Sequence, residues 1–256
     1  MTIDMLGTSS MKSDRILFLV KFFEREEYAD AFLQGKLYLN RLSFFKKYEE
    51  TASFAEGRKD IREAITSWHQ PKDVKRITII PKWRKSIVLT SKDIASPVMT
   101  GHDGFDDVHL YCMYAVKADN IEFDGERLIF DSPEDLKRVE KQIKIDERNF
   151  SFGEFAIVVI NPQLFCDQVK NTVESEGYFF GCSIIQYYDK ATFSGYFQPQ
   201  DVLYRKEAAY SYQNEFRICI NTKTLGETPL ILDVGDLSAF SVKIRSSIIN
   251  NALVIA

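Results

Sequence analysis

The apolar positions fall into short runs of two different periods. Arg15–Phe23 (RILFLVKFF) is a nearly continuous apolar run of strand length. Glu24–Gln34 follows with Tyr28, Phe32 and Leu33 on one helical face, and Ala29 and Ala31 favour the helical state. Gly35 stands where a helix end calls for a left-handed backbone. Lys36–Leu42 alternates as a second strand, with Leu37, Leu39 and Arg41 on one face and Tyr38 and Asn40 on the other. Ser43–Glu50 predicts a short helix carrying Phe44, Phe45 and Tyr48.

Thr51–Pro71 is polar and predicts a loop, of the kind that carries function in compact domains. Two β-like runs, Arg76–Ile80 and Ser86–Thr90, are joined by the turn Pro81–Lys85. Ser91–Asp107 reads as loop and Val108–Val116 as a strand. Asp131–Ile145 is the clearest helix: Asp131 or Ser132 caps it, Pro133 fits its first position, and Glu134 and Asp135 suit its positive end. Phe155–Ile160 (FAIVVI) is apolar throughout, the pattern of a central strand buried on both faces, and a helix over Pro162–Val169 follows. The last third predicts strands at Gly181–Tyr188, Val202–Arg205, Gln213–Asn221, Leu230–Val234 and Ala239–Ile244.

These elements do not alternate as βαβ units. There is no GxGxxG and no GxxxxGK[ST], so Rossmann and P-loop readings lack support. The pattern predicts one α+β domain over residues 15–256, with a central mixed or antiparallel, split sheet flanked by helices, preceded by a flexible arm over 1–14. With 256 residues, 45% of them hydrophobic and 27% charged, the chain can bury a substantial core. The 20 Phe and 12 Tyr leave some aromatics over for a binding surface.

The net charge of −4 argues against a generic nucleic-acid coat. The polar start, the strand-sized apolar runs and four scattered cysteines without CxxC spacing predict a cytoplasmic protein with free thiols.

Four stretches carry candidate chemistry. In Tyr210-Ser-Tyr-Gln-Asn-Glu-Phe-Arg-Ile218, strand alternation puts Gln213, Glu215 and Arg217 on one polar or cleft-lining face and sends Asn214, Phe216 and Ile218 to the other. The plain alternative is a solvated strand face with a cross-strand ion pair. The loop with Glu49, Arg58, Asp60, Arg62 and Glu63 offers guanidinium groups for a pyrophosphate, or Glu49, Asp60 and Glu63 for a nuclease's Mg²⁺, against a simple charged loop. Lys72–Lys92 holds seven basic residues and one acid, with Trp83 at its turn. Lys82, Trp83, Arg84 and Lys85 there fit single-stranded nucleic acid, against a solvated hairpin guarded by lysines. His102 and His109 with Asp103, Asp106 and Asp107 match no strong zinc spacing and read as loop, as does His69.

Gln213-x-Glu215, late in the chain on a strand, resembles the catalytic motif of ADP-ribosyltransferases. The order Gly35-x-Leu37, Phe44-Phe45, Tyr48-Glu49, Arg58-x-Asp60-x-x-Glu63, Tyr111–Tyr114, Phe152–Phe155 and Tyr210-x-Tyr212-Gln213-x-Glu215-Phe216-Arg217 is similar to a family of bacterial and phage-associated proteins of largely unassigned function. In layout, the ADP-ribosyltransferase toxins of phage-defence and toxin–antitoxin systems resemble both. The resemblance implies a transferase-like fold and an enzyme using NAD as substrate without a metal. Its acceptor would be RNA, single-stranded DNA or protein. A partner antitoxin is implied, and a membrane is not. Glu215 would stabilise an oxocarbenium-like transition state and Gln213 would guide the acceptor. Lys21, Tyr38, Asn40, Arg58 and Arg217 would contact NAD. Two departures stand out: the family's first strand ends in Arg or His where this chain has Lys21, and its Ser-Thr-Ser motif survives only as Leu89-Thr90-Ser91. The rival expectations are a metal-dependent nuclease using Glu49, Asp60 and Glu63, and a non-catalytic phage-defence sensor or binding protein.

Overall fold

A computed structural model describes residues 13–48, 63–83, 85–124 and 127–253. The chain opens with β1 (Ser13–Phe23), α1 (Glu26–Leu33), β2 (Lys36–Arg41) and α2 (Leu42–Tyr48). Next come β3 (Ile65–His69), β4 (Ile77–Ile79), β5 (Ile87–Leu89), β6 (Val98–Gly101), β7 (His109–Asp124) and β8 (Arg127–Ile129). The middle holds α3 (Pro133–Gln142), β9 (Phe155–Val159) and α4 (Pro162–Ser175). The last third holds β10 (Phe179–Ile184), β11 (Gln186–Tyr188), β12 (Gly195–Tyr196), β13 (Arg205–Glu207), β14 (Glu215–Asn221), β15 (Leu230–Asp233), β16 (Ser241–Arg245) and α5 (Ile249–Ala252). The protein is mixed α and β with a large antiparallel sheet and several helices. Among the described residues, no helix is long and apolar enough to cross a membrane.

The chain divides into two compact units, each built from separate segments. The first comprises Met1–Lys36, Met113–Lys170 and Asp233–Ala256, and the second Leu37–Cys112 and Asn171–Leu232.

In the first unit β1 pairs antiparallel with β7 (Val20 opposite Tyr114) and with β9 (Val20 opposite Val158), and β16 closes on β9. All five residues of β9 are buried, as an apolar strand flanked on both edges requires. Its core gathers Val20, Val116, Ile121, Val139, Ile145, Val158 and Ile249. α1 buries Ala29 and Phe32, one helical turn apart. Its acidic outer face holds Lys243, whose Nζ donates to Glu26 at 2.8 Å and Asp30 at 2.6 Å. At the helix end Gly35 adopts φ +85°, as its sequence position predicts, and a Cβ there would come within 1.9 Å of the Gly235 carbonyl oxygen. Ser132 caps α3 by accepting the Asp135 N–H at 3.1 Å, with Pro133 in the first position.

In the second unit β14 lies between β10 and β7, β2 pairs β7 through Asn40–Leu110 and Arg41–His109, and β15 pairs β2. Smaller ribbons are β12-β3-β6, the parallel pair β11–β13 and the hairpin β4–β5. The core contains Leu42, Ile65, Trp68, Val108, Leu110, Tyr188, Phe197 and Val202. Tyr188 packs on Phe193 and Phe197, and those two rings stack at 4.6 Å. Arg41 does join Leu37 and Leu39 on the buried face. It is tolerated because its guanidinium donates to the carbonyls of Thr224, Asp107 and Thr228 at 2.7, 2.8 and 3.0 Å.

Several sequence expectations shift. Ile65–His69, expected in a loop, forms β3, paired on both edges. Val98–Gly101, also expected as loop, is β6. Val202–Arg205, expected as a strand, is mostly a 3₁₀ turn over Pro199–Tyr204, because Pro199 starts the turn and Val202 packs inward from it. α4 runs on to Ser175. The expected arm lies, apart from Ser13 and Asp14, outside the described residues, as do Glu49, Arg58, Asp60, Arg62 and Arg84.

Candidate functional site

Strand β14 has its first six residues buried, so neither of its faces is solvated. Phe216, Ile218 and Ile220 pack as apolar core, as alternation predicts. The opposite face carries Glu215 and Arg217, and it too is buried, at 5% and 1% exposure. The face is polar, as expected, but buried, which corrects the alternative of a solvated strand face with an ion pair. Gln213 is also displaced from its expected place. It ends a 3₁₀ segment (Ala208–Gln213), and Asn214, in the left-handed region at φ 39°, turns the chain into the strand. Asn is one of the few residues that tolerates this backbone.

The buried face is a closed set of charges. The Arg217 guanidinium clasps Glu63 with two bonds, Nη1 to Oε2 at 2.8 Å and Nη2 to Oε1 at 2.9 Å. Its Nε donates to Glu215 Oε1 at 2.8 Å, and Nη1 also reaches the Leu203 carbonyl at 2.8 Å. Lys206 completes the set from β13. Its ammonium donates to Glu215 Oε2 at 3.1 Å and Gln213 Oε1 at 2.9 Å, lies 3.7 Å from Glu63 Oε1, and stands 5.1 Å from the Tyr210 ring. Two carboxylates and two cations thus balance. Removing four charges from water is unfavourable for each alone, and pairing with full hydrogen bonding is what makes it tolerable.

The electrostatics follow from that balance. Burial opposes ionisation of Glu215, but Arg217, Lys206 and a Cys112 thiol bond outweigh it and hold the carboxyl below the usual range. Burial would weaken the Arg217 charge, yet Glu215 and Glu63 push its pKa well above the ordinary value. Tyr187 accepts the Glu215 backbone N–H at 2.9 Å, and burial, reinforced by the Glu215 charge, keeps its phenol protonated. Burial pushes the Cys219 thiol up to about 12, so it is a neutral, unreactive group. No disulfide joins the four cysteines, and Cys219 is buried while the other three are partly exposed.

The structure therefore brings Gln213, Glu215, Arg217 and Glu63 together. Glu63, assigned from sequence to a polar loop, belongs instead with β14 through Arg217. Lys206, Tyr187 and Cys112 were missed. Lys206 sits in Tyr204-Arg-Lys-Glu207, where nothing in the local pattern marks the lysine as buried. Tyr38 is 56% exposed on β2, next to the half-buried Asn40. Lys21 lies in the other unit, opposite Ile157 on β9. On the β4–β5 hairpin, Lys82, Trp83 and Lys85 are exposed. His109 is buried on β7, its Nε2 3.2 Å from the Thr228 carbonyl, and His102 accepts the Gly104 N–H. Among the described residues, no cluster of three or more His, Cys, Asp or Glu side chains could hold a metal ion.

Comparison with protein-family models, with curated proteins and with solved structures finds no match to this chain.

Proposed function

We propose that the chain is an NAD-dependent ADP-ribosyltransferase, a bacterial toxin or phage-defence effector, with Glu215 as the catalytic carboxylate. The observation that carries this reading is the state of Glu215: at the start of β14 it is held ionised by Arg217 and Lys206, with Gln213 joined to it through Lys206. The chemistry needs a fixed anion. As the bond between nicotinamide and ribose breaks, its electron pair leaves with nicotinamide and positive charge develops on the ribose. A preorganised carboxylate stabilises that charge more than the ground state. The acceptor nucleophile then bonds to the ribose carbon and gives up its proton. Gln213 orients the acceptor, an RNA, a single-stranded DNA or a protein. Arg217 keeps Glu215 aimed through Oε1. For a ribose hydroxyl to reach Oε2, Lys206 must give up its bond there, so Lys206 is the group that NAD displaces. Tyr38, Asn40 and Arg58 are the further contacts proposed for NAD.

The test is incubation with NAD labelled in its ADP-ribose half, with RNA, DNA and protein acceptors, with and without chelator. Label transfer and nicotinamide release that survive chelator and vanish in Glu215→Gln, in a variant shown to be folded, support the reading. Transfer that persists in Glu215→Gln removes the site assignment.

A second reading rests on the closure of the network. Both Glu215 oxygens and both Glu63 oxygens already have cationic partners. On this reading the cluster fixes β3, β13 and β14 inside a non-catalytic sensor or binding protein, and no NAD is consumed. The nuclease alternative through Glu49, Asp60 and Glu63 gains no comparable support, because Glu63 is committed to Arg217.

A further inference from the structure

The β4–β5 hairpin carries apolar surface that its own unit leaves open. Its register sets Ile77 opposite Leu89 and Ile79 opposite Ile87, so four aliphatic side chains share one face. Ile79 and Ile87 are 46% and 49% exposed, the adjoining Ile80 is 79% exposed, and Trp83 at the turn is 92% exposed. Lys82 and Lys85 flank Trp83, and exposed Lys72, Lys75, Arg76 and Lys92 ring the base. No acidic residue occurs between Asp73 and Asp93. Asp93 itself is occupied closing the base, where it accepts the Thr90 N–H and hydroxyl, each at 2.8 Å. A ribbon of two three-residue strands gains little stability by itself, and covering its aliphatic face is favourable.

We propose that this hairpin is a peripheral docking surface for an anionic lipid bilayer. It would lie at the bilayer surface, with Ile77, Ile79, Ile87 and Leu89 facing the acyl boundary. Trp83 would sit at headgroup level and the lysines against lipid phosphates. Trp is favoured at that boundary because its ring is apolar and its N–H polar. Two weak signals, modest apolar area and a basic rim, combine in reversible membrane attachment. The aliphatic face favours a bilayer over the single-stranded nucleic acid expected from sequence for Lys82, Trp83, Arg84 and Lys85. Phosphate and base stacking would use the lysines and Trp83 and leave four aliphatic side chains idle. This inference is independent of the transferase reading.

Trp83 supplies its own reporter. The other tryptophan, Trp68, is 5% exposed and donates to the Lys190 carbonyl at 3.1 Å, so its emission stays constant. The full chain is mixed with vesicles of phosphatidylcholine alone or of phosphatidylcholine with phosphatidylglycerol. Sedimentation with the anionic vesicles only, weakened by salt and accompanied by a blue shift absent from Trp83→Phe, is the expected result. Lys82→Ala and Lys85→Ala should each weaken binding about fivefold, and Ile79→Asp with Ile87→Asp should abolish it while circular dichroism is unchanged. No sedimentation, or equal sedimentation with neutral vesicles, overturns the proposal. So does a single-stranded oligonucleotide that quenches Trp83 and competes with vesicles, or a concentration-dependent shift without lipid, which would mark a second copy as the partner.

Discussion

Two regions of the second unit hold charged side chains under opposite conditions. Around β14, four charges are buried and every one has an opposite partner within hydrogen-bonding reach or close to it. On the β4–β5 hairpin the charges are of one sign, exposed, and set beside Ile79, Ile87 and Trp83, which are exposed as well. The difference teaches where a charge is spent on the fold and where it is left for something outside it. A buried charge must be paired because the interior solvates it poorly, so it is committed before any ligand arrives. An exposed basic rim has lost none of its hydration and keeps its attraction for an anionic surface.

The largest expected break of this contrast is Arg217→Met. It leaves Glu63 and Glu215 buried without their shared guanidinium, and urea denaturation should show a loss of roughly 3–5 kcal/mol. Glu215→Gln keeps the shape and removes one charge. Its expected loss is about 2 kcal/mol, since Arg217 retains Glu63 while Lys206 loses its carboxylate. If label transfer disappears in this variant while it stays folded, the cluster is a site as well as a brace. A variant that loses stability with no transfer to lose in the parent favours the brace alone.

The pH dependence sharpens the same point. Glu215 has a folded pKa below its unfolded value of about 4.3, so its contribution is complete above that pH and is lost as pH falls beneath it. Acid unfolding should therefore be shallower in Glu215→Gln. His109 acts in a different window. Burial lowers its pKa from the ordinary 6.5, so the unfolded chain takes up the proton first and stability falls as pH drops below about 6.5. Chemical denaturation between pH 7 and 5.5 should show that slope in the parent and lose it in His109→Gln. The smallest effect belongs to the hairpin: Lys82→Ala and Trp83→Phe should change stability by less than about 0.5 kcal/mol, because those side chains are exposed.

Much of the fold was legible in the sequence because local periodicity and punctuation carried it. β9 announced itself as five apolar residues, α3 by Ser132 and Pro133, and the end of α1 by Gly35. The missed strands β3 and β6 are short and carry Thr, Ser, His and Gly, so pairing rather than composition makes them strands. The candidate site was half legible. Alternation correctly put Glu215 and Arg217 together and Phe216 and Ile218 in the core. Burial was not readable, since Glu, Arg and Lys are ordinarily surface residues and only their partners make the interior acceptable.

The sequence by itself determined that β14 would carry an acid and a guanidinium on one side, that the chain would mix strands with a few helices, and that residues 72–92 would be basic. Only the tertiary structure decided that Glu63 and Lys206, 154 and 11 positions from Arg217 in the chain, close a neutral cluster with it. It also decided that the hairpin register gathers four aliphatic side chains on one face, with Ile79 and Ile87 exposed. Periodicity fixes which side of its own element a residue takes, whereas the cost of burying a charge depends on what other segments bring to meet it.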